Sequence, residues 1–166
     1  LVSAELSITQ EDYAEARVFA EDAYSSATTL NASWLKARAG LVKAICAERL
    51  GDVKAAIDLL TSAEQELGKQ PDAETLWLVQ AAMANALIKS GQEKAGTTHR
   101  QTAITTINRI SSELSEDARE RFLKNPAVVN ALGVDAMTNS GMWKVPVQIT
   151  TTVVAKEKGS TTDMGL

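Results

Sequence analysis

The stretch Ala44–Ala63, AICAERLGDVKAAIDLLTSA, decides the fold, because its landmarks recur at one fixed interval on either side. It reads as a helix, a tight turn and a second helix. Gly51 tolerates the left-handed conformation that closes a helix, and Asp52 caps the amino terminus of the next. Adding 40 to Ala44, Gly51, Ala56 and Ala63 lands on Ala84, Gly91, Gly96 and Ala103; subtracting 40 from Ala56 and Ala63 lands on Ala16 and Ala23. Self-similarity at a period of roughly 20–50 residues marks a solenoid, in which each unit buries its apolar face by stacking on its neighbours.

Working outward from the central hairpin, Trp34 to Leu50 is predicted as its first helix. Leu35, Leu41, Ala44, Ile45 and Leu50 point inward there, and Lys36, Lys43 and Glu48 mostly outward. Val53, Ala56, Ile57, Leu60, Ala63 and Leu67 continue the inward stripe to about Gly68. Pro71 suits the first turn of a new helix, where its missing N–H removes no bond. Between Leu76 and Ile88 the run LWLVQAAMANALI is apolar almost all round, as expected of a helix covered on most sides in the middle of a stack. Gln92 to Glu113 follows, threonine-rich and carrying Gly96 in its interior; close approach to Ala84 would offset the helix propensity that glycine forfeits. Upstream, Ser7 and Gln10 form a capping-box pattern for a helix over Glu11–Ala27, Ser25–Asn31 reads as a polar connection, and the first helix of that unit falls before residue 1. Downstream, Ser115 is placed to cap EDARERFLK, and PAVVNAL restarts after Asn125, with Phe122, Leu123, Val128, Val129 and Leu132 able to seal the array as a terminal cap. The array with its cap thus occupies residues 1–133. Residues 134–166 form a tail in which Val145–Val154 alternates as an extended segment, with Pro146 confining any strand to an edge.

Composition supports an all-α body. Hydrophobic residues make up 45% of the 166, aromatics only 4%, and the abundant alanine favours closely packed helices. The formal charge of −4, mixed in sign along the helices, lacks the basic stripe that nucleic acid requires. No membrane partner is expected, since there is neither a cationic patch nor an apolar run of about 18 residues. No signal peptide opens the chain, so a cytoplasmic home is the default expectation. Leu1 in place of an initiator methionine suggests a piece of something longer.

The helix pairs resemble tetratricopeptide repeats in a lengthened, 40-residue form over residues 8–110. The resemblance rests on the small residue in the first helix (Ala44, Ala84), the turn glycine (Gly51, Gly91) and two small positions in the second helix (Ala16, Ala56, Gly96; Ala23, Ala63, Ala103). It departs early in the first helix, where Gly40, Gln80 and Lys43 replace the family's usual tryptophan and leucine. The ending ARERFLKNPAVVNAL is similar to the run that closes such regions in large bacterial signalling proteins, including STAND-type ATPase regulators and kinase or cyclase fusions. The resemblance implies a right-handed superhelix whose first helices line a concave groove. Mapped onto this chain, the groove positions are Arg38, Leu41, Ile45, Glu48 and Arg49, then Leu78, Ala81, Asn85, Ile88 and Lys89. Leu41 stands where a carboxylate clamp would need lysine, so an amphipathic helix or an extended apolar segment is the expected partner. The same residues read equally as packing against a neighbouring helix.

Nothing in the sequence points to catalysis. His99 is the only histidine and Cys46 the only cysteine, so neither a histidine-based metal site nor a disulfide is expected. Cys46 reads as a small buried hydrophobe, His99 as a solvated side chain, and the acidic clusters at helix starts as complements to the helix dipole. No phosphate-binding glycine motif occurs, and no cofactor is expected. The expected function is a non-catalytic protein–protein interaction module. A regulatory sensor that controls an attached catalytic or DNA-binding module is the alternative. Self-assembly through the tail or the open amino-terminal repeat face is a third.

Overall fold

The computed structural model describes residues 1–132, and helices are the only regular elements among them: α1 Val2–Thr9, α2 Tyr13–Thr29, α3 Ser33–Arg49, α4 Val53–Lys69, α5 Ala73–Lys89, α6 Glu93–Glu113, α7 Glu116–Leu123 and α8 Pro126–Leu132. The chain is all-α. The expected stop at Gly133 and the extended tail over 134–166 lie outside the described residues. No helix among the described residues is long and apolar enough to cross a membrane.

Helices α2 to α5 are each 17 residues long. One turn chemistry produces this regularity. Backbone φ is positive at Glu11, Asn31, Gly51 and Gly91. At each of them the N–H of the following residue reaches back to the last helical turn: Asp12 to Ser7, Ala32 to Ala27, Asp52 to Ala47 and Gln92 to Leu87. This is the Schellman closure, which satisfies carbonyls that a helix end leaves unpaired. At the fourth place in this series, between Gly51 and Gly91, stands Pro71, and there the chain passes through extended backbone at Gln70 instead. Helix starts are equally regular, since Asp12, Asp52 and Asp72 accept from the N–H groups of Glu15, Ala55 and Thr75. The structural step is therefore one helix and one turn, half of the 40-residue interval. Only glycine announces the turn clearly, because Asn31 and Glu11 adopt a conformation that most residues avoid.

Several boundaries differ from the sequence reading. Residues before Glu11 form a short helix of their own, so a first helix of the amino-terminal unit is present as α1. Ser7 is not its partner's cap but a buried residue within α1, donating to Glu15 Oε2 at 2.9 Å, while Asp12 caps α2. Burial of Ala4 with Ala16, Ala20, Val42 and Cys46 holds α1 in place. Helix α2 runs through the expected polar connection to Thr29, because the hydroxyls of Thr28 and Thr29 bond back to the carbonyls of Tyr24 and Ser25 and Ala27 is buried. Pro71 stays outside α5, where Asp72 takes the cap. Ser115 occupies the cap position of α7 without a side-chain bond, and Arg119 instead donates to the carbonyls of Ser111 and Leu114.

Consecutive helices pack against one another, and across the hairpins α1 meets α3 and α3 meets α5. No comparable contact joins α2 to α4 or α4 to α6. The main core lies among α3, α4 and α5 around Leu41, Leu60, Leu67, Val79, Met83 and Leu87. A second cluster joins Trp77 to Ala103 and Ile107 of α6 and Val128 and Ala131 of α8, with Phe122 edge-on to Trp77 at 6.5 Å between centroids. Helix α5 is buried on most sides, as its almost wholly apolar run suggested.

One buried group in α5 lacks compensation. Thr75 is fully buried, and its hydroxyl has no hydrogen-bond partner among the described residues. An unpaired buried hydroxyl carries a desolvation penalty that a methyl group of the same shape does not. Thr75→Val is expected to raise the unfolding free energy by about 1 kcal/mol, read as a higher urea midpoint at unchanged slope. A lower midpoint would mean that the hydroxyl is hydrogen-bonded in solution.

Candidate functional site

The side on which α1, α3 and α5 meet carries the candidate site. Charged side chains bind these three helices together. Arg38 of α3 donates through Nε to Glu5 of α1 at 3.0 Å and through a terminal nitrogen to Glu74 of α5 at 3.3 Å. Nearer the other end of α3, Glu48 pairs with Lys89 of α5. Lys36 and Lys43, expected to face solvent, reach the second helices instead, pairing with Glu66 of α4 and Glu21 of α2. Lysine stems cover apolar surface while the ammonium group finds a carboxylate, so an outward position on a helix wheel is compatible with such a bridge.

Between α3 and α5 lies a recess of about 370 Å³. Leu41 and Ile45 contribute from α3, and Trp77, Leu78, Ala81, Ala82 and Asn85 from α5. The remaining wall is Asn125 with Pro126, Ala127, Asn130 and Ala131 of α8. No ionisable side chain is among the twelve residues that form it. Asn85 is oriented from behind, since its Oδ1 accepts from Arg100 of α6 at 3.3 Å. Arginine can only donate, which turns the Asn85 amide NH₂ away from it. The Trp77 indole N–H is itself buried, away from solvent, with no acceptor among the described residues.

Of the residues that the sequence reading assigned to a groove, Leu41, Ile45, Leu78, Ala81 and Asn85 are brought together in this recess. Arg38, Glu48 and Lys89 flank it as ion pairs. Arg49 and Ile88 are carried elsewhere: the Arg49 guanidinium lies 5.9 Å from the ring centroid of Tyr13 in α2, and Ile88 packs toward Gly96 in α6. The contribution of α8 was missed. Its apolar residues read as a seal for the array, and nothing in their spacing distinguishes sealing a core from walling a recess.

A polar chain crosses the opposite side of α5. His99 Nδ1 lies 2.7 Å from Gln80 Oε1 and 3.3 Å from Glu64 Oε1, and Gln80 Nε2 donates to Glu64 at 2.6 Å. His99 is thus half-buried and engaged, not solvated. Gln80 thereby links α4, α5 and α6. Cys46 is completely buried beside Ala4, Ala16, Ala20 and Val42. Burial pushes its thiol pKa up, against a smaller opposing pull from the Arg17 charge, which makes it a poor nucleophile. Among the described residues no group of three His, Cys, Asp or Glu side chains is placed to hold a metal ion.

A second, larger hollow of about 610 Å³ opens between α2 and α4, where those helices do not meet. Its walls are mixed in charge, with Arg17, Lys43, Glu21, Asp22 and Asp52, and Lys43 is already held by Glu21 and the face of Tyr24. It is the more open of the two. Compared with protein-family models, curated proteins and solved structures, the chain matches none.

Proposed function

We propose that this chain is a non-catalytic interaction module of the tetratricopeptide-like helical-repeat kind, with α1, α3 and α5 lining its partner-binding groove. The observation that supports this reading is the convergence of Leu41, Ile45, Leu78 and Asn85, residues from two different helices, on one recess. An apolar floor edged by Arg38, Glu48 and Lys89 suits an extended or helical segment that buries a few apolar anchors and meets charge at its rim. The right-handed superhelix, the kinship with the repeat family and a role inside a larger signalling protein belong to the same proposal.

Selection from a random peptide display library tests it, because such a library samples anchor spacings without a named partner. Enriched peptides are expected to share an apolar anchor and to lose about tenfold or more in affinity on Asn85→Arg, which places a bulky charge at the recess. Asp58→Arg, on the exposed face of α4, is the control and should leave affinity unchanged. Peptides that respond to Asp58→Arg and not to Asn85→Arg would sink the groove.

A regulatory sensor is the second reading, and one feature favours it. The recess is walled by α8, the last described helix, so anything that fills it bears directly on the position of the segment that leads onward to residue 133. Coupling of this kind needs differential binding to two positions of α8.

A further inference from the structure

We propose that a segment of the chain's own tail, residues 142–149, MWKVPVQI, docks in the recess between α3, α5 and α8 and competes there with an outside partner. The proposal rests on the recess being part of the partner groove and adds how that groove is regulated.

Place, surface and charge point to this occupant. Helix α8 walls one side of the recess, and residue 133 follows directly on Leu132 at the end of that helix. Ten residues stand between Leu132 and Trp143. They span up to about 35 Å when extended, whereas α8, with its seven residues, is only about 10 Å long. Trp143 is therefore within reach of every wall.

The surface to be covered is apolar and accessible. Ile45, Leu78 and Ala81 are half-buried, Pro126 and Ala127 are exposed, and the walls hold no ionisable side chain. The amides of Asn85, Asn125 and Asn130 bring donors and acceptors alike, which suits a main chain that carries both. Trp143 is the only aromatic residue in 133–166, and a recess of about 370 Å³ has room for an indole ring. Pro146 biases the residue before it toward extended backbone, and in an extended chain alternate residues share a face. Trp143, Val145, Val147 and Ile149 would then form one apolar edge.

Charge at the rim agrees. Arg38 is shared between Glu5 and Glu74, which leaves that cluster with one negative charge in excess, while Glu48 and Lys89 cancel. Glu74 is largely exposed and stands one helical turn before Leu78 on the same face of α5. Between residues 136 and 155 the only charged side chain is Lys144, next to Trp143. Its ammonium group complements the excess carboxylate.

Covalent linkage makes weak docking sufficient. A short connection gives an effective concentration on the order of 1 mM, so a segment with a Kd of about 0.1 mM would occupy the recess in about nine chains of ten and raise a partner's apparent Kd about tenfold.

Nuclear Overhauser contacts in the intact chain test the docking. Trp143 indole protons are expected to contact methyl groups of Leu41, Ile45 and Leu78, and Trp143→Ala distinguishes these signals from those of the other two tryptophans by their loss. A mixture of isotope-labelled and unlabelled chains separates contacts within one chain from contacts between copies. Circular dichroism verifies folding of the variant, which should bind peptides selected on the groove about tenfold more tightly than the parent does.

Absence of Trp143 contacts with these methyl groups would overturn the proposal. So would contacts found only between chains, which would make a second copy the occupant, or a folded Trp143→Ala variant that binds the selected peptides no more tightly than the parent. The groove reading fails separately: selectable peptides without Trp143 contacts keep the groove and remove the tail, whereas Trp143 contacts without selectable peptides keep the tail in the recess and remove the outside partner.

Discussion

Leu60→Ala is expected to lower the unfolding free energy by about 4 kcal/mol, toward the upper part of the range for burying and then deleting a leucine side chain. Leu60 is 1% exposed in the middle of α4 and belongs to the cluster shared by α3, α4 and α5. The size of the effect depends on how far the surroundings can close over the space. Here many of them are alanines, among them Ala37, Ala44, Ala56, Ala63, Ala82 and Ala86. A methyl group fixed to the backbone has no rotamer with which to fill a neighbouring void, so relaxation would require helices to move. Urea unfolding followed by far-ultraviolet circular dichroism measures the change as a drop in midpoint. A loss below about 1 kcal/mol would mean that α4 does not pack between α3 and α5 as described, because even partial burial of leucine is worth more.

Two glycines within helices make a second pair of expectations, opposite in sign. Gly96→Ala should destabilise by about 2 kcal/mol, although alanine is the better helix former. A Cβ at Gly96 would come within 2.6 Å of Ile88 Cγ1 and 2.8 Å of the Ala84 carbonyl oxygen. Ile88 could rotate, but the carbonyl belongs to the backbone of α5, so α5 and α6 would have to separate. Gly40→Ala should instead stabilise by about 0.5–1 kcal/mol. The added carbon at position 40 would meet Ala63 Cβ at 3.6 Å and the Leu59 carbonyl at 3.8 Å, which is ordinary contact. Thermal unfolding of the two variants side by side decides the matter. If both substitutions stabilise, the close approach of α5 and α6 is wrong; if both destabilise, α3 and α4 are closer than described.

These two glycines also mark where sequence reasoning succeeds and stops. The register of Gly96 opposite Ala84 pointed to close backbone approach, and the structure places the Ala84 carbonyl there. Gly40 stood out only as a departure from a repeat pattern, and its neighbours explain little about why glycine is present. Of the groove positions mapped through the family resemblance, Leu41, Ile45, Leu78 and Asn85 line one recess, while Arg49 and Ile88 lie on other faces. Helical geometry accounts for the difference. Each step of four residues advances about 40° beyond a full turn, so a line through Leu41 and Ile45 has swung toward α2 by Arg49. A step of three falls about 60° short, which carries Ile88 from the Asn85 face toward α6.

The sequence by itself determined that the chain is helical, where its central helices lie and much of their buried stripe, as at Ala44, Ala56, Leu60, Ala63 and Leu67, although Leu50, read as inward, is 57% exposed. Those properties follow from local propensity, from the period of apolar residues and from a glycine or aspartate at a helix boundary, all of which act over a few neighbours. Only the tertiary structure decided that α1 exists as a helix, that His99 and Gln80 join a polar chain across three helices, and that α8 walls a recess against α3 and α5. Each of these depends on residues distant in the chain: Ala4 is buried by α2 and α3, Gln80 is satisfied by Glu64 and His99, and the recess needs Asn130 and Ala131 opposite Leu41. Burial and hydrogen bonding reward such meetings only after the helices have packed, so the chemistry of the recess is written in no single stretch of the chain.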